Sequence, residues 1–365
     1  MFNYKIVKSF DKNLESNWNS LISNSNHTFF QKYELNKLWY NLIGSKIKSS
    51  KLLIFEFYYY NKITAIAPLI LIKKNYFFNE IVFLGQGLFD YQLIINSDSS
   101  NTKLQKFIFK TIKSHDSIDI ISLSNIPNFF ENNNLEYSRY LDFVSEEVVS
   151  MATLPNSFDS YFNSLKTSVR GDSRRQSKKL NNLGKLSYEV IKEQQEMFLD
   201  NLIHYKRMRY KKTLVRDLFN NSDYITFFKE LINSKLRNNI HCSVLNIDDV
   251  SISYHLGFYY NSKYYYFMPS FVEKEWGKYS PSRVHMLKII EESISNKLSI
   301  FDFTIGNENY KKYFTDKRNK VRNYSSYISI KGYLFKIINP IYIFLKNIIM
   351  KFKIIRKFLF KTNSF

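Results

Sequence analysis

The stretch IHCSVLNIDDVSISYHLGFYYNSKYYYFMPSF, residues 240–271, decides the fold. It divides into three runs, 240–247, 251–260 and 263–271, each rich in β-branched and aromatic residues. Only Asp248-Asp249 and Asn261-Ser262 lie well inside the gaps. Links this short leave no room for a crossover, so the runs pair antiparallel as a meander.

Working outward, residues 186–192 (LSYEVIK) alternate as a strand, and 193–210 place Met197, Leu199, Leu202 and Ile203 at helical spacing. A second helix follows over 224–238, with Ser222 and Asp223 as caps and an apolar stripe of Ile225, Phe228, Leu231, Ile232 and Leu236. Downstream, Ser280-Pro281 opens a helix to about residue 296, proline being suited to the first helical position. Residues 299–305 (SIFDFTI) form a buried strand, 307–314 a short helix and 324–330 a last strand. The order is β-α-α-β-β-β-α-β-α-β.

The N-terminal half gives a fainter version of the same plan: strand 4–8, helices 14–22 and 33–42, strands 52–59 and 63–72, helix 104–112 and strand 118–123. A degenerate tandem repeat of one α/β fold is expected, with domains at 1–155 and 186–332. Residues 156–185 read as a basic connecting helix, interrupted at Gly171, and 333–365 as a basic amphipathic tail.

The composition fits a folded two-domain chain: 365 residues, 44% hydrophobic and 18% aromatic. Cys242 is the only cysteine, which excludes an intrachain disulfide framework and cysteine-pair metal sites. No metal is expected. Residues 1–10 lack the apolar core of a signal peptide and no run is long enough to span a membrane, so a cytoplasmic protein is expected. The net charge of +21 is concentrated at one end, since no Asp or Glu occurs between Lys317 and Phe365. Beyond Pro340, the residues Ile341, Phe344, Leu345, Ile348, Phe352, Ile355 and Leu359 recur at helical spacing, with Lys346, Lys353 and Lys357 elsewhere on the same helix. That pattern predicts a helix lying on an anionic membrane surface.

Four segments carry a family resemblance: GQGLFDYQ with Gly85, Asp90 and Tyr91; LKTSVRGDSRRQ over 165–176; the Tyr279-Ser280-Pro281 helix start; and FDFTIGNENYKKYF over 301–314. With them the chain resembles the GNAT-fold acetyltransferase-like family that includes the cellulose-biosynthesis CelD proteins and is related to the tandem-domain FemAB peptidyltransferases. The chain departs from the family at Ser282, where glycine is usual, and at Gly171 and Asp172, where further basic residues are usual.

The resemblance implies acetyl-CoA, or another acyl-CoA, as co-substrate. Its phosphates would meet the helix start formed by Gly277, Lys278, Tyr279, Ser280, Ser282 and Arg283, where backbone N–H groups favour an anion. Tyr310 is the candidate proton donor to the departing thiolate, His255 the candidate base, and Asp302 a group that orients substrate or base. Asp90, Tyr91 and His204 are candidate acceptor contacts. The implied activity is N-acylation of an amino sugar or related intermediate, free or lipid-linked, in cell-envelope polysaccharide synthesis. A Fem-like transfer from aminoacyl-tRNA to a cell-wall precursor and a non-catalytic scaffold of an envelope synthase stand as alternatives. In the tRNA alternative, Arg170, Arg174, Arg175, Lys178 and Lys179 would contact phosphates.

Overall fold

The computed structural model describes residues 1–23, 27–129, 135–213 and 215–351. The first half runs β1 (Phe2–Val7), α1 (Lys12–Ser23), α2 (Tyr33–Leu42), β2 (Lys51–Tyr59), β3 (Lys62–Lys74) and β4 (Phe78–Phe83). A two-residue strand, β5 (Ile95–Asn96), then precedes α3 (Thr102–Lys113), β6 (Ile120–Pro127), the single turn α4 (Tyr137–Tyr140) and β7 (Asp142–Thr153). Two helices, α5 (Phe158–Ser164) and α6 (Thr167–Asn181), lead to the second half. There the order repeats: β8 (Leu186–Val190), α7 (Gln195–Thr213), α8 (Ser222–Asn233), β9 (Ile240–Ile247), β10 (Val250–Tyr260), β11 (Lys263–Phe271), the turn α9 (Glu273–Trp276), α10 (Pro281–Ser295) and β12 (Ile300–Ile305). Strand β13 (Lys317–Tyr327) and helix α11 (Ile330–Lys351) close the described chain.

The meander is present, with β9, β10 and β11 paired antiparallel. Its tight turns place Asp248, Asn261 and Ser262 at positive φ, a conformation that short polar residues tolerate. The two halves share one twelve-strand path, β1-β2-β3-β4-β6-β13-β7-β12-β11-β10-β9-β8, with β5 attached to β3. Each half lends its last strand to the other: β7 pairs with β12, and β13 pairs with β6 as well as β7. Neither half completes its sheet alone. Aromatic packing adds to the joint, with Phe29 stacked on Phe258 at 4.3 Å and Phe30 against Tyr265 at 5.9 Å.

Several expectations are corrected. The connecting segment is two helices broken at Leu165 and Lys166, whose extended backbones cannot continue a helix, while Gly171 lies inside α6 without interrupting it. Packing of Val169, Ser173 and Leu180 outweighs the roughly 1 kcal/mol that a helical glycine costs. The last strand begins at Lys317, seven residues earlier than expected, and residue 330 already belongs to α11. The short helix at 307–314 reduces to one 3-10 turn, Lys311–Tyr313. The tail helix starts ten residues before Pro340, which lies within it. Strands β4 and β7 were not anticipated; the charged Ser145-Glu146-Glu147 run hid the latter.

Candidate active site

Among the described residues two neighbouring pairs in the sheet are parallel, β4 with β6 and β11 with β12. Parallel pairing requires a crossover between the strands, so each half presents one place where the chain leaves the sheet between partners. In the C-terminal half, β11 and β12 pair only from Lys263–Ile300 to Tyr265–Asp302 and then part. The parting is driven from β12, where Thr304 sits at φ +57 with its N–H donating to Asp302 Oδ1 at 2.8 Å, and the register against β7 shifts between Asp302 and Ile305. A cavity of about 320 Å³ opens in the gap, walled by Lys206, Arg209 and Tyr210 from α7, Tyr266 and Pro269 from β11, and Thr304, Tyr310 and Lys311 from β12 and the turn beyond it. A larger opening of about 460 Å³ lies beside edge strand β8, but none of the candidate residues reaches it.

The matching gap in the N-terminal half is plugged by its own chain. Gln92 donates from its N–H to the Asn125 carbonyl at 3.0 Å and from its amide to the Leu84 carbonyl at 2.8 Å, stitching β4 to β6. About 10 Å³ of space remains there. The plug turns at Gly85, whose φ of +80 and contact with the Phe89 ring leave no room for a Cβ. Immediately after that turn it carries Asp90 and Tyr91 across to the other half. The Tyr91 hydroxyl lies 2.8 and 3.0 Å from the two oxygens of Asp302, with both residues fully buried.

Electrostatics sharpen this junction. Burial pushes the Asp302 carboxyl up to about 6, against the hydrogen bonds from Tyr91 and Thr304 and the pull of Lys263 and Lys311. Burial likewise raises Asp90, to about 7, opposed by a hydrogen bond from Thr304 and by the Lys311 ammonium, and helped by the nearby Asp302 charge. Lys311 is itself buried, donating to the Ile305 carbonyl at 3.1 Å and pairing with Glu308 at 2.9 Å. Desolvation lowers Lys206 to about 8, and its ammonium donates to the Pro269 carbonyl at 3.1 Å. The Tyr310 hydroxyl is held well above its ordinary value by burial and by Glu308, so it stays protonated.

The other candidates fall elsewhere. His204 is on the exposed side of α7, edge-on to Tyr205. His255 lies behind the cavity wall, stacked on Tyr266 at 4.2 Å, with Nδ1 bonded to the Tyr264 hydroxyl at 3.0 Å and Nε2 without a hydrogen-bond partner among the described residues. Burial and the neighbouring His285 and His241 keep it neutral. The stretch Gly277, Lys278, Tyr279, Ser280, Ser282, Arg283 forms a 3-10 turn and the start of α10, outside the cavity wall. Ser280 adopts φ +53, no side chain caps the helix, and Ser282 Oγ and Trp276 Nε1 are buried without hydrogen-bond partners among the described residues. No cluster of three or more metal-ligating side chains occurs among the described residues.

Lys206, Arg209 and Lys311 were given no site role from the sequence. The signal for Lys206 was present, because Leu199, Leu202, Ile203 and Lys206 fall on one helical face, and a lysine on a core stripe is out of place unless it has a task. Lys311 stands beside Tyr310 in the FDFTIGNENYKKYF segment that carries the family resemblance, which marked its position but gave it no role.

The family model described as acetyltransferase (GNAT) domain matches residues 167–312, from the start of α6 to the turn after Tyr310. Among solved structures, the chain is similar to FemX, with a TM-score of 0.62 and 11% identity over 91% of this chain and 99% of that one. It is also similar to the structure of L-PGS from Bacillus licheniformis (TM-score 0.53, 8% identity, 88% of this chain and 94% of that one). A third likeness is to the C-terminal domain of a putative lysylphosphatidylglycerol synthetase from Agrobacterium fabrum (TM-score 0.51, 8% identity, 88% and 93%). No curated protein matches the sequence. Residues 167–312 thus carry a GNAT acetyltransferase domain, and the chain as a whole has a GNAT-type fold. Its two halves together have the architecture seen in FemX.

Proposed function

We propose that this chain transfers an acyl group from acetyl-CoA, or another acyl-CoA, to the amine of an amino sugar or related envelope intermediate, at the cavity between β11 and β12. The observation that carries the proposal is the meeting of Asp90 and Tyr91 from one half with Asp302, Thr304 and Lys311 from the other, beside a cavity whose facing wall is Lys206 and Arg209. Asp90 takes the proton of the attacking amine as the C–N bond forms, its raised pKa making it a competent base near neutrality. Lys206 and Lys311 offset the negative charge that collects on the carbonyl oxygen. Tyr310 gives its hydroxyl proton to the departing thiolate as the C–S bond breaks. The start of α10, which no side chain caps and where the Ser282 hydroxyl has no hydrogen-bond partner among the described residues, is offered for the donor's phosphates. The amino-sugar acceptor follows from the family resemblance.

A second reading, transfer from an aminoacyl-tRNA, is favoured by Pro269. This residue fronts the cavity without an N–H, and its carbonyl is taken by Lys206, so that part of β11 offers a pantetheine arm little to bond with. Arg174, Arg175, Lys178 and Lys179 are exposed on α6. Tyr310 would then protonate a ribose oxygen. Calorimetric titration of the folded protein with acetyl-CoA and, separately, with aminoacyl-tRNA decides between donors; saturable CoA binding insensitive to moderate salt is the expected result. Binding of tRNA alone, weakening steeply with salt, moves the conclusion to the second reading. Binding of neither leaves a scaffold and overturns the transferase proposal.

A further inference from the structure

We propose that α11 and the loops beside it form a docking surface for an anionic lipid bilayer. The inference is independent of the donor and acceptor, because it rests on a different face of the molecule. Helix α11 is apolar on two opposite sides. One side holds it to the fold: Gly332 lies so close to the Asp119 carbonyl that a Cβ would sit 2.2 Å from the oxygen, and Phe335, 4% exposed, packs on Phe78 with ring centres 4.9 Å apart. The other side is open to solvent. Ile330, Ile337, Ile341 and Phe344 lie on the side opposite Phe335, with Leu334 and Ile338 along its flank, and the six are each between 51% and 82% exposed. A helix whose second face has no partner ordinarily turns polar residues to water; this one does not.

Other exposed apolar side chains lie near the helix. Tyr76 and Phe77, 80% and 76% exposed, occupy the β3–β4 turn next to Phe78, the residue against which Phe335 packs. Phe143 and Val144 are exposed beside Asp142, which lies 3.8 Å from Lys336 of α11. An apolar helix face left open in this way, with further exposed aromatic side chains in nearby turns, marks a docking site.

Charge selects the occupant. No acidic residue follows Asp316 in the sequence, and Lys331, Lys336, Lys346 and Lys351 are the charged residues of α11. A second copy of the chain would bring the same uncompensated positive charge against itself, whereas an anionic headgroup layer attracts that charge while the exposed isoleucines and Phe344 enter the acyl boundary. Among the described residues no helix is long and apolar enough to cross a membrane, so the contact is interfacial. The same spacing continues in the sequence at Phe352, Ile355 and Leu359, which lie outside the described residues.

The test is flotation of the full-length protein with vesicles of phosphatidylcholine alone and of phosphatidylcholine mixed with phosphatidylglycerol, alongside light scattering of the free protein. The protein is expected to float with the mixed vesicles and to be released by salt. Ile337→Glu with Ile341→Glu, two substitutions at solvent-facing positions that leave the Phe335 anchor intact, should lower binding more than about tenfold. Lys331→Gln and Lys336→Gln should each lower it about fivefold. A folded protein that stays unbound with anionic vesicles overturns the proposal. So does equal binding to both vesicle types, or a dimer in solution that the paired Ile→Glu variant splits.

Discussion

Asp302→Asn should stabilise the fold progressively as pH rises, relative to the parent chain, while lowering turnover. Asp302 is 1% exposed, and burial raises its carboxyl from 3.8 to about 6. A carboxyl whose folded value is raised contributes its full stability below the unfolded value and loses it as pH climbs through the folded one. Below about pH 4 the group is protonated in both states and ionisation is irrelevant. Above about pH 6 the folded state carries a buried carboxylate, at a cost of roughly 3 kcal/mol. Asparagine cannot ionise, so it escapes that cost, and its Oδ1 still accepts from the Tyr91 hydroxyl and the Thr304 N–H. Its amide N–H groups gain no matching acceptor, a penalty of about 1–2 kcal/mol that applies at every pH and cancels in the comparison. The variant should therefore gain on the parent by about 3 kcal/mol between pH 4 and pH 8, which urea unfolding of both proteins measures directly. Unfolding free energies that run parallel with pH, or a variant that loses ground as pH rises, would refute the reasoning and make Asp302 a structural anion matched to Lys263 and Lys311. Turnover measured on the same samples should fall, because the carboxylate that orients Tyr91 beside Asp90 is lost.

Tyr310→Phe keeps the ring but removes the proton donor, so kcat should drop roughly tenfold to a thousandfold with little change in KM; equal kcat when chemistry limits the rate would make Tyr310 a packing residue. If Asp90 is the base, kcat/KM should rise with pH to a plateau beyond about pH 7, and Asp90→Asn should abolish that limb; a variant retaining the same profile assigns the proton to another group. Gly85→Ala forces a Cβ to within 1.9 Å of the Phe89 ring at φ +80, and should cost more than about 2 kcal/mol in unfolding free energy and most activity through displacement of Asp90 and Tyr91; a neutral outcome would show that the plug is pliable.

Local chemistry made much of this protein legible. The meander followed from two-residue polar links between aromatic strands, and helix α2 from its spacing, because both depend on neighbours in the chain. Asp302, Tyr310, Asp90 and Tyr91 were proposed from motif resemblance; Tyr310 lines the cavity, while Tyr91 bonds Asp302 and Asp90 bonds Thr304 of the cavity wall. Residues whose position depends on the other half were not legible. Strand β7 reads as a charged segment, yet its burial comes from β12 and β13, which arrive some 150 residues later. His255 lies mid-strand as read, but only the packing of Tyr266 in front of it decides that it does not line the cavity.

By itself the sequence determined the order of elements in the C-terminal half, a fainter version of the same plan before it and the residue types able to move a proton, since periodicity, caps and turns are local. Tertiary structure alone decided that the halves trade their last strands, that Gln92 closes one gap while the other stays open, and that Lys206 and Lys311 charge the open one. Each of these turns on desolvation and pairing between segments far apart in the chain, and local pattern carries no record of which distant partner will bury a given side chain.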